Sequence, residues 1–225
     1  MELIDFQERA SSQIARRFFE YSTNPLMVDR TTTVPFLQTL VAITGSSKTI
    51  ILADAVAQIR DGLGVAPVVL WISKGRVVVS QTFENLSSGK YADNLSGFNI
   101  LPLLEVAPDH LSSADTPVLL VATVGKFAVE DTSSDDRKVY RAQLDLAEES
   151  LWGQLKKRRT EKGQRRPLII VYDEGHNLSD LQSERLLELS PDALIVASAT
   201  LTLPPRLNNV MGRLRSDKGW KDEIG

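Results

Sequence analysis

Cysteine is absent from the 225 residues, and histidine occurs only twice. Without thiols there are no disulfides and no thiolate metal sites, and a reducing compartment is expected. Apart from one region discussed below, acids and histidines do not gather into a metal shell. No apolar run approaches the length of a membrane span. The first residues, Met1-Glu2-Leu3-Ile4-Asp5, are acidic and mixed, unlike a signal peptide. The formal net charge of −3 gives no global basic field of the kind that advertises nucleic acid, although a local groove can be basic on an acidic protein. No internal repeat is visible. What remains is ordinary: 42% hydrophobic and 24% charged residues, the composition of a soluble globular chain. A cytoplasmic protein with no membrane partner is expected.

The most informative stretch is Leu168-Ile169-Ile170-Val171-Tyr172-Asp173-Glu174-Gly175-His176. Its apolar run predicts a strand buried on both faces, the habit of parallel sheets. The run ends in two adjacent carboxylates, at the place where open α/β sheets bind ligands. Acids at a core edge are costly unless a cation or reactant uses them.

The preceding chain supplies further elements. Residues 5–22 carry apolar side chains at helical spacing, and Asn24-Pro25 stops that helix. Residues 35–43 predict a strand that runs into Thr44-Gly45-Ser46-Ser47-Lys48-Thr49, followed by a helix to Leu63. Strand, glycine/serine loop, Lys-Thr and helix is the context a phosphate-binding loop requires. Strands are also expected at 65–72, 99–104, 117–123 and 193–197, and helices at 76–86, 140–155 and 178–189. Residues 87–94 and 130–136 read as loops, and the stretch from Arg206 shows no strong pattern. Residues 156–166 hold seven basic side chains and one acid, which predicts a solvated surface segment. His110, beside Pro108 and Asp109, is expected to be exposed and inert.

Strands alternating with helices predict an α/β fold, a mostly parallel sheet with helices on both faces. Right-handed crossovers then bring every strand's C-terminal end to one rim. Five polar clusters meet there: residues 44–49, Ser73-Lys74-Gly75, Thr123, residues 173–176, and Ser198-Ala199-Thr200. A nucleoside triphosphate needs backbone N–H donors and a cation for its phosphates. It also needs oxygen ligands for magnesium and a base to position water. Thr44 to Lys48 supply the loop, and Lys48 reaches the outer phosphates. The Thr49 hydroxyl and the Asp173 carboxylate serve Mg2+, and Glu174 serves the water. Ser198-Ala199-Thr200 taken alone reads as a turn or cap.

This series of motifs is similar to the first motor lobe of superfamily 2 helicases and translocases. It resembles in particular the restriction-subunit (type III restriction endonuclease) branch of the DEAD/DEAH-like proteins. The resemblance extends over residues 5–205, nearly the whole chain. It implies a RecA-like P-loop NTPase lobe over 1–205, with 206–225 a polar tail toward a second lobe that is missing. It implies ATP and Mg2+ as cofactors, and DNA, or RNA, as the polymer to which hydrolysis is coupled. By the same resemblance Gln7 reads adenine, while His176 and Ser198-Ala199-Thr200 couple nucleotide state to nucleic acid. Ser73, Lys74, Gly75, Gln81, Thr82 and Thr123 touch the nucleic-acid backbone.

Two departures qualify the resemblance. Ser47 stands where the family carries glycine, and a Cβ in left-handed geometry costs roughly 1–2 kcal/mol. The second lobe, which supplies arginine fingers, does not follow. A fragment, a truncated product or a single-lobe relative is expected, with weak turnover. A non-catalytic nucleotide- or DNA-binding module is the alternative, and a metal-dependent hydrolase built on Asp173, Glu174 and His176 is disfavoured.

Overall fold

The structure is a computed structural model that describes residues 2–30, 32–42, 48–73, 76–127, 150–174, 178–200, 202–218 and 223–224. The expected loop at 130–136 and the first part of the helix expected at 140–155 lie outside these residues. The strands are β1 (Phe36–Val41), β2 (Val68–Ser73), β3 (Asn99–Pro102), β4 (Val118–Thr123), β5 (Leu168–Asp173), β6 (Ala193–Ser198) and β7 (Glu223–Ile224). They form one seven-stranded sheet in the order β3-β4-β2-β5-β6-β1-β7, and every pairing is parallel. The five long strands are buried along almost their whole length, as their mainly apolar runs require, and in β1 the polar Gln38 and Thr39 are buried with them.

The helices are α1 (Asp5–Thr23), α2 (Lys48–Gly62), α3 (Arg76–Ser87), α4 (Pro108–Ser112), α5 (Leu151–Lys157), α6 (Asp180–Glu188) and α7 (Pro205–Lys218). The chain steps one way across the sheet from β1 through β2 to β3, then returns through β4, β5 and β6 to β7. With right-handed crossovers this reversal places α2 and α3 on one face and α4 to α7 on the other.

Helix α1 lies along α2. Phe18 and Tyr21 pack against Phe36 at the start of β1, with Phe18 edge-on at 5.6 Å. The Tyr21 hydroxyl donates to Val34 O at 2.7 Å and accepts from Leu26 N at 3.1 Å, which fixes the turn after α1. Phe19 lies directly over Gly62, where an added Cβ would fall 2.3 Å from its Cζ. A side chain at position 62 would force the Phe19 ring to move.

The basic segment departs from expectation. Arg158 and Arg166 are 1% and 0% exposed, although their basic neighbours on the segment lie at the surface. Arg158 donates to the carbonyls of Arg166, Leu155, Leu189 and Ser190 at 2.6–3.0 Å, and it pairs with Asp192 at 3.5 Å. Arg166 donates to the carbonyls of Ala66, His110, Pro67 and Thr116 at 2.7–3.1 Å. Burial lowers both guanidinium pKa values to about 10, so both remain charged at neutral pH. These carbonyls precede β2, β4 and β6, so the arginines bind the N-terminal rim of the sheet together. His110 also has a structural place, because its Nδ1 accepts Ala107 N at 3.0 Å across the start of α4.

The stretch from Arg206 is another correction. It forms α7, whose Leu207, Met211 and Leu214 are fully buried at spacings of four and three. Beyond it, β7 adds to the sheet alongside β1. The few apolar positions among many polar ones hid this helix from a reading of composition.

Arg166→Met is expected to lower unfolding free energy by at least about 3 kcal/mol, because several buried carbonyls lose their donor. The exposed Lys162→Met should stay within about 0.5 kcal/mol of the parent. Urea unfolding of the two variants side by side tests the division. Similar values for both would refute a structural role for Arg166.

Candidate nucleotide-binding site

The parallel register delivers the expected residues to one rim. Asp173 is the last residue of β5, and Ser198 the last of β6. Ala42 follows β1 directly, and its N–H donates to Ser198 O at 3.2 Å. Helix α2 starts at the same rim with Lys48 and Thr49. The Thr49 hydroxyl donates to Asp173 Oδ2 at 2.8 Å, joining residues 124 positions apart. Lys48 is 6% exposed, and its Nζ donates to Ala42 O at 3.3 Å. A lysine at a helix start faces an unfavourable dipole unless an anion shares the site.

Burial is the chief cause that raises the Asp173 carboxyl above the usual aspartate range. The Glu174 charge adds to the rise, while the Thr49 hydroxyl and Lys48 oppose it. Glu174 turns the chain off the strand in left-handed geometry, at φ +68°. That conformation costs an ordinary residue roughly 1–2 kcal/mol, and such costs gather at functional sites.

On the other side of β5, Ser73 pairs in register with Thr123, and its Oγ lies 3.5 Å from Thr82 Oγ1 on α3. Gln81, the neighbour of Thr82, is exposed. Ser73, Thr82 and Thr123 therefore form one polar group at the rim. Ser198 Oγ donates to Thr200 O at 2.9 Å and shapes the turn through Ala199.

Gln7 lies at the start of α1, 6% exposed, with its Oε1 accepting from Ile4 N at 3.1 Å. Ser11 is bonded to Asp54, and Phe19 lies on Gly62, so α1 and α2 run parallel with an offset of 43 residues. The same offset sets Gln7 level with Ile50, immediately after Thr49. Thr44, Gly45, Ser46, Ser47, Lys74, Gly75 and His176 lie outside the described residues.

The bonds of Ser11 were not anticipated from sequence. The available signal was a serine on the apolar face of α1, between Gln7 and Ile14. Among the described residues there is no group of three or more His, Asp or Glu able to hold a metal ion. None of the described helices is long and apolar enough to cross a membrane.

Residues 1–203 match the family model described as type III restriction enzyme, res subunit. The chain belongs to this family. As a res-subunit family member with this α/β fold, it is a helicase-like ATPase lobe. No curated protein matches it. Among solved structures, it is similar to a nuclease-deletion mutant of the Type ISP restriction-modification enzyme LlaGI, determined in complex with a DNA substrate mimic. The identity is 12% and the TM-score 0.49, over 90% of this chain and 18% of that one. The res-subunit chain thus spans under a fifth of that protein's length.

Two stability measurements probe the rim. The folded Asp173 carboxyl holds its proton to higher pH than the unfolded one, so stability is lost as pH rises through the folded value. Without divalent cations, Asp173→Asn is expected to melt above the parent at neutral pH, the two converging toward about pH 4. Thermal midpoints across pH check this, and equal midpoints at neutral pH would refute it. The neighbouring Tyr172 hydroxyl is buried with no hydrogen-bond partner among the described residues, and burial raises its pKa to about 12. Tyr172→Phe should therefore add about 1 kcal/mol of stability in urea unfolding.

Proposed function

We propose that this lobe binds ATP with Mg2+ and couples nucleotide hydrolysis to DNA, in the cytoplasm, as the first motor lobe of a restriction-type translocase. The observation that carries the reading is the Thr49–Asp173 hydrogen bond. It joins the start of a helix behind a glycine/serine loop to the acid that ends a distant strand. A hydroxyl and a carboxylate are hard oxygen donors of the kind magnesium takes, and one or two carboxylates with substrate phosphates suffice for it. A cation there would relieve the burial that raises Asp173. The donor set therefore fits the ion.

In this reading Thr49 and Asp173 hold Mg2+, which neutralises charge on the phosphates. Lys48 and the backbone of Thr44, Gly45, Ser46 and Ser47 hold the phosphates. Glu174, turned off the strand by its left-handed backbone, orients and deprotonates the attacking water. Gln7 reads the adenine, level with the start of α2. Ser73, Lys74, Gly75, Gln81, Thr82 and Thr123 contact the DNA backbone. His176, Ser198, Ala199 and Thr200 link the two ligands. A second lobe or larger complex supplies the arginine finger, worth about 10³–10⁵ in rate.

A degenerate, non-catalytic module is the second reading, favoured by Ser47 at the glycine position. Binding of a fluorescent ATP analogue, with and without magnesium, separates the two. The wild type is expected to bind in a magnesium-dependent way, and Lys48→Ala to lose about 10- to 100-fold in affinity with one charge-assisted bond. DNA-stimulated turnover by the isolated chain should stay near background. Binding only after Ser47→Gly would establish the degenerate reading. No binding by either form would reject the phosphate site.

A further inference from the structure

The helices α1 and α2 meet through a polar network. Ser11 is 0% exposed. Its Oγ donates to Asp54 Oδ2 at 2.5 Å and lies 3.0 Å from Glu8 O. Gln58 Nε2 donates to the same carboxylate oxygen at 2.7 Å and approaches Ser11 Oγ at 3.4 Å. One carboxylate oxygen thus gathers donors from both helices. Two turns further along, Phe19 lies over Gly62.

An apolar seam alone tolerates small sliding and rotation, because dispersion and burial are not directional. Charge-assisted hydrogen bonds are short and directional, and they strengthen in a low-dielectric interior. Setting the register between elements is the best-attested use of polar groups at such seams, and here Ser11 is buried while Asp54 and Gln58 are half-buried. The register set here has one consequence at the rim. Ser11 follows Gln7 by one turn on the same face of α1, and Asp54 follows Ile50 by one turn on α2. The network therefore stands one turn below the level at which Gln7 meets the Lys48-Thr49 end of α2.

We propose that Ser11, Asp54 and Gln58 are positioning residues for base recognition. They hold the helix carrying the purine-reading Gln7 at a fixed distance and rotation from the helix carrying the phosphate-binding residues. This rests on the ATP reading given above. It assigns the network to discrimination between bases and leaves phosphate affinity to Lys48, Thr49 and the loop. Neither Ser11 nor Asp54 touches nucleotide, and both act through the placement of α1.

The test uses the full chain and three ligands with magnesium: ATP, GTP and inorganic tripolyphosphate. The wild type is expected to prefer ATP to GTP. Ser11→Ala and Asp54→Ala should each reduce that preference by about tenfold, the worth of one hydrogen bond. Tripolyphosphate affinity should stay within about twofold of the wild type. Asp54→Asn keeps an oxygen acceptor in place and should retain most of the preference. Ser11→Ala removes a single hydroxyl and decides the matter if Asp54→Ala does not fold. An unchanged ATP preference in both alanine variants overturns the proposal. So does an equal loss for all three ligands, which marks a merely structural network. A wild type that binds ATP and GTP alike overturns it while leaving the phosphate site standing. A wild type that binds none of the three overturns the ATP reading as well.

Discussion

A strand buried on both faces has room for polar side chains mainly at its ends, and this constraint organises the whole molecule. Five strands of six residues run in one direction, in register, through an apolar core. Most of their polar residues therefore fall at two opposite rims; β1 is the exception, with Gln38 and Thr39 buried in mid-strand, where Gln38 accepts a hydrogen bond from Arg17. At the C-terminal rim stand Ser73, Thr123, Asp173 and Ser198. The N-terminal rim presents backbone carbonyls, and there Arg158 and Arg166 supply the donors. The division is physical: carbonyls that have no strand partner need cationic or N–H donors, whereas the rim that starts the helices is electropositive and accepts anions. Four strands begin directly after a proline, Pro35, Pro67, Pro117 and Pro167, which has no N–H to leave unsatisfied at the strand entrance.

The C-terminal rim carries local costs that the rest of the fold sustains. Asp173 is buried enough to hold its proton too strongly, Lys48 opens a helix against its dipole, and Glu174 sits in left-handed geometry. The first two would be relieved by ligands with the right charge. Phosphates would satisfy Lys48, and a divalent cation would satisfy Asp173. Their coincidence at one place, linked by the Thr49 hydroxyl, says more than any one of them. Such a rim needs a rigid foundation, and the two buried arginines at the other end of the same strands provide it.

Helix α1 stands apart from the alternating strand–helix pattern, because it precedes the first strand and pairs with a helix. It is held at one end by Tyr21 and Phe18 on the entry to β1 and by Phe19 on Gly62. Near its other end it is held by the Ser11–Asp54–Gln58 bonds. Restraint at both ends fixes where Gln7 stands at the tip of the helix, beside the start of α2. Its Oε1 also caps Ile4 N, so the start of the helix is ordered by the same side chain.

The strands β1 to β6 were legible from the amino acids alone, because their largely apolar runs are short and bounded by turn residues, whereas β7 was not. So were α1, α2, α3 and α6, from helical spacing, and so was the pairing in principle of Lys48-Thr49 with Asp173-Glu174. Residue chemistry at strand ends survives in a linear reading because the strand itself dictates which residues are terminal. Other features became visible only in three dimensions. Nothing local distinguishes Arg158 and Arg166 from the exposed basic residues around them, since the carbonyls that bind Arg166 lie 50 to 100 positions away. Helix α7 was hidden because its core contact rests on few apolar positions, Leu207, Met211 and Leu214 with the half-buried Val210. The bond between Ser11 and Asp54 depends on the parallel register of α1 and α2, which no periodicity encodes. Local patterns determine which elements form and where their polar ends fall. The tertiary packing decides which of many similar polar side chains are buried, because that depends on partners supplied by distant parts of the chain.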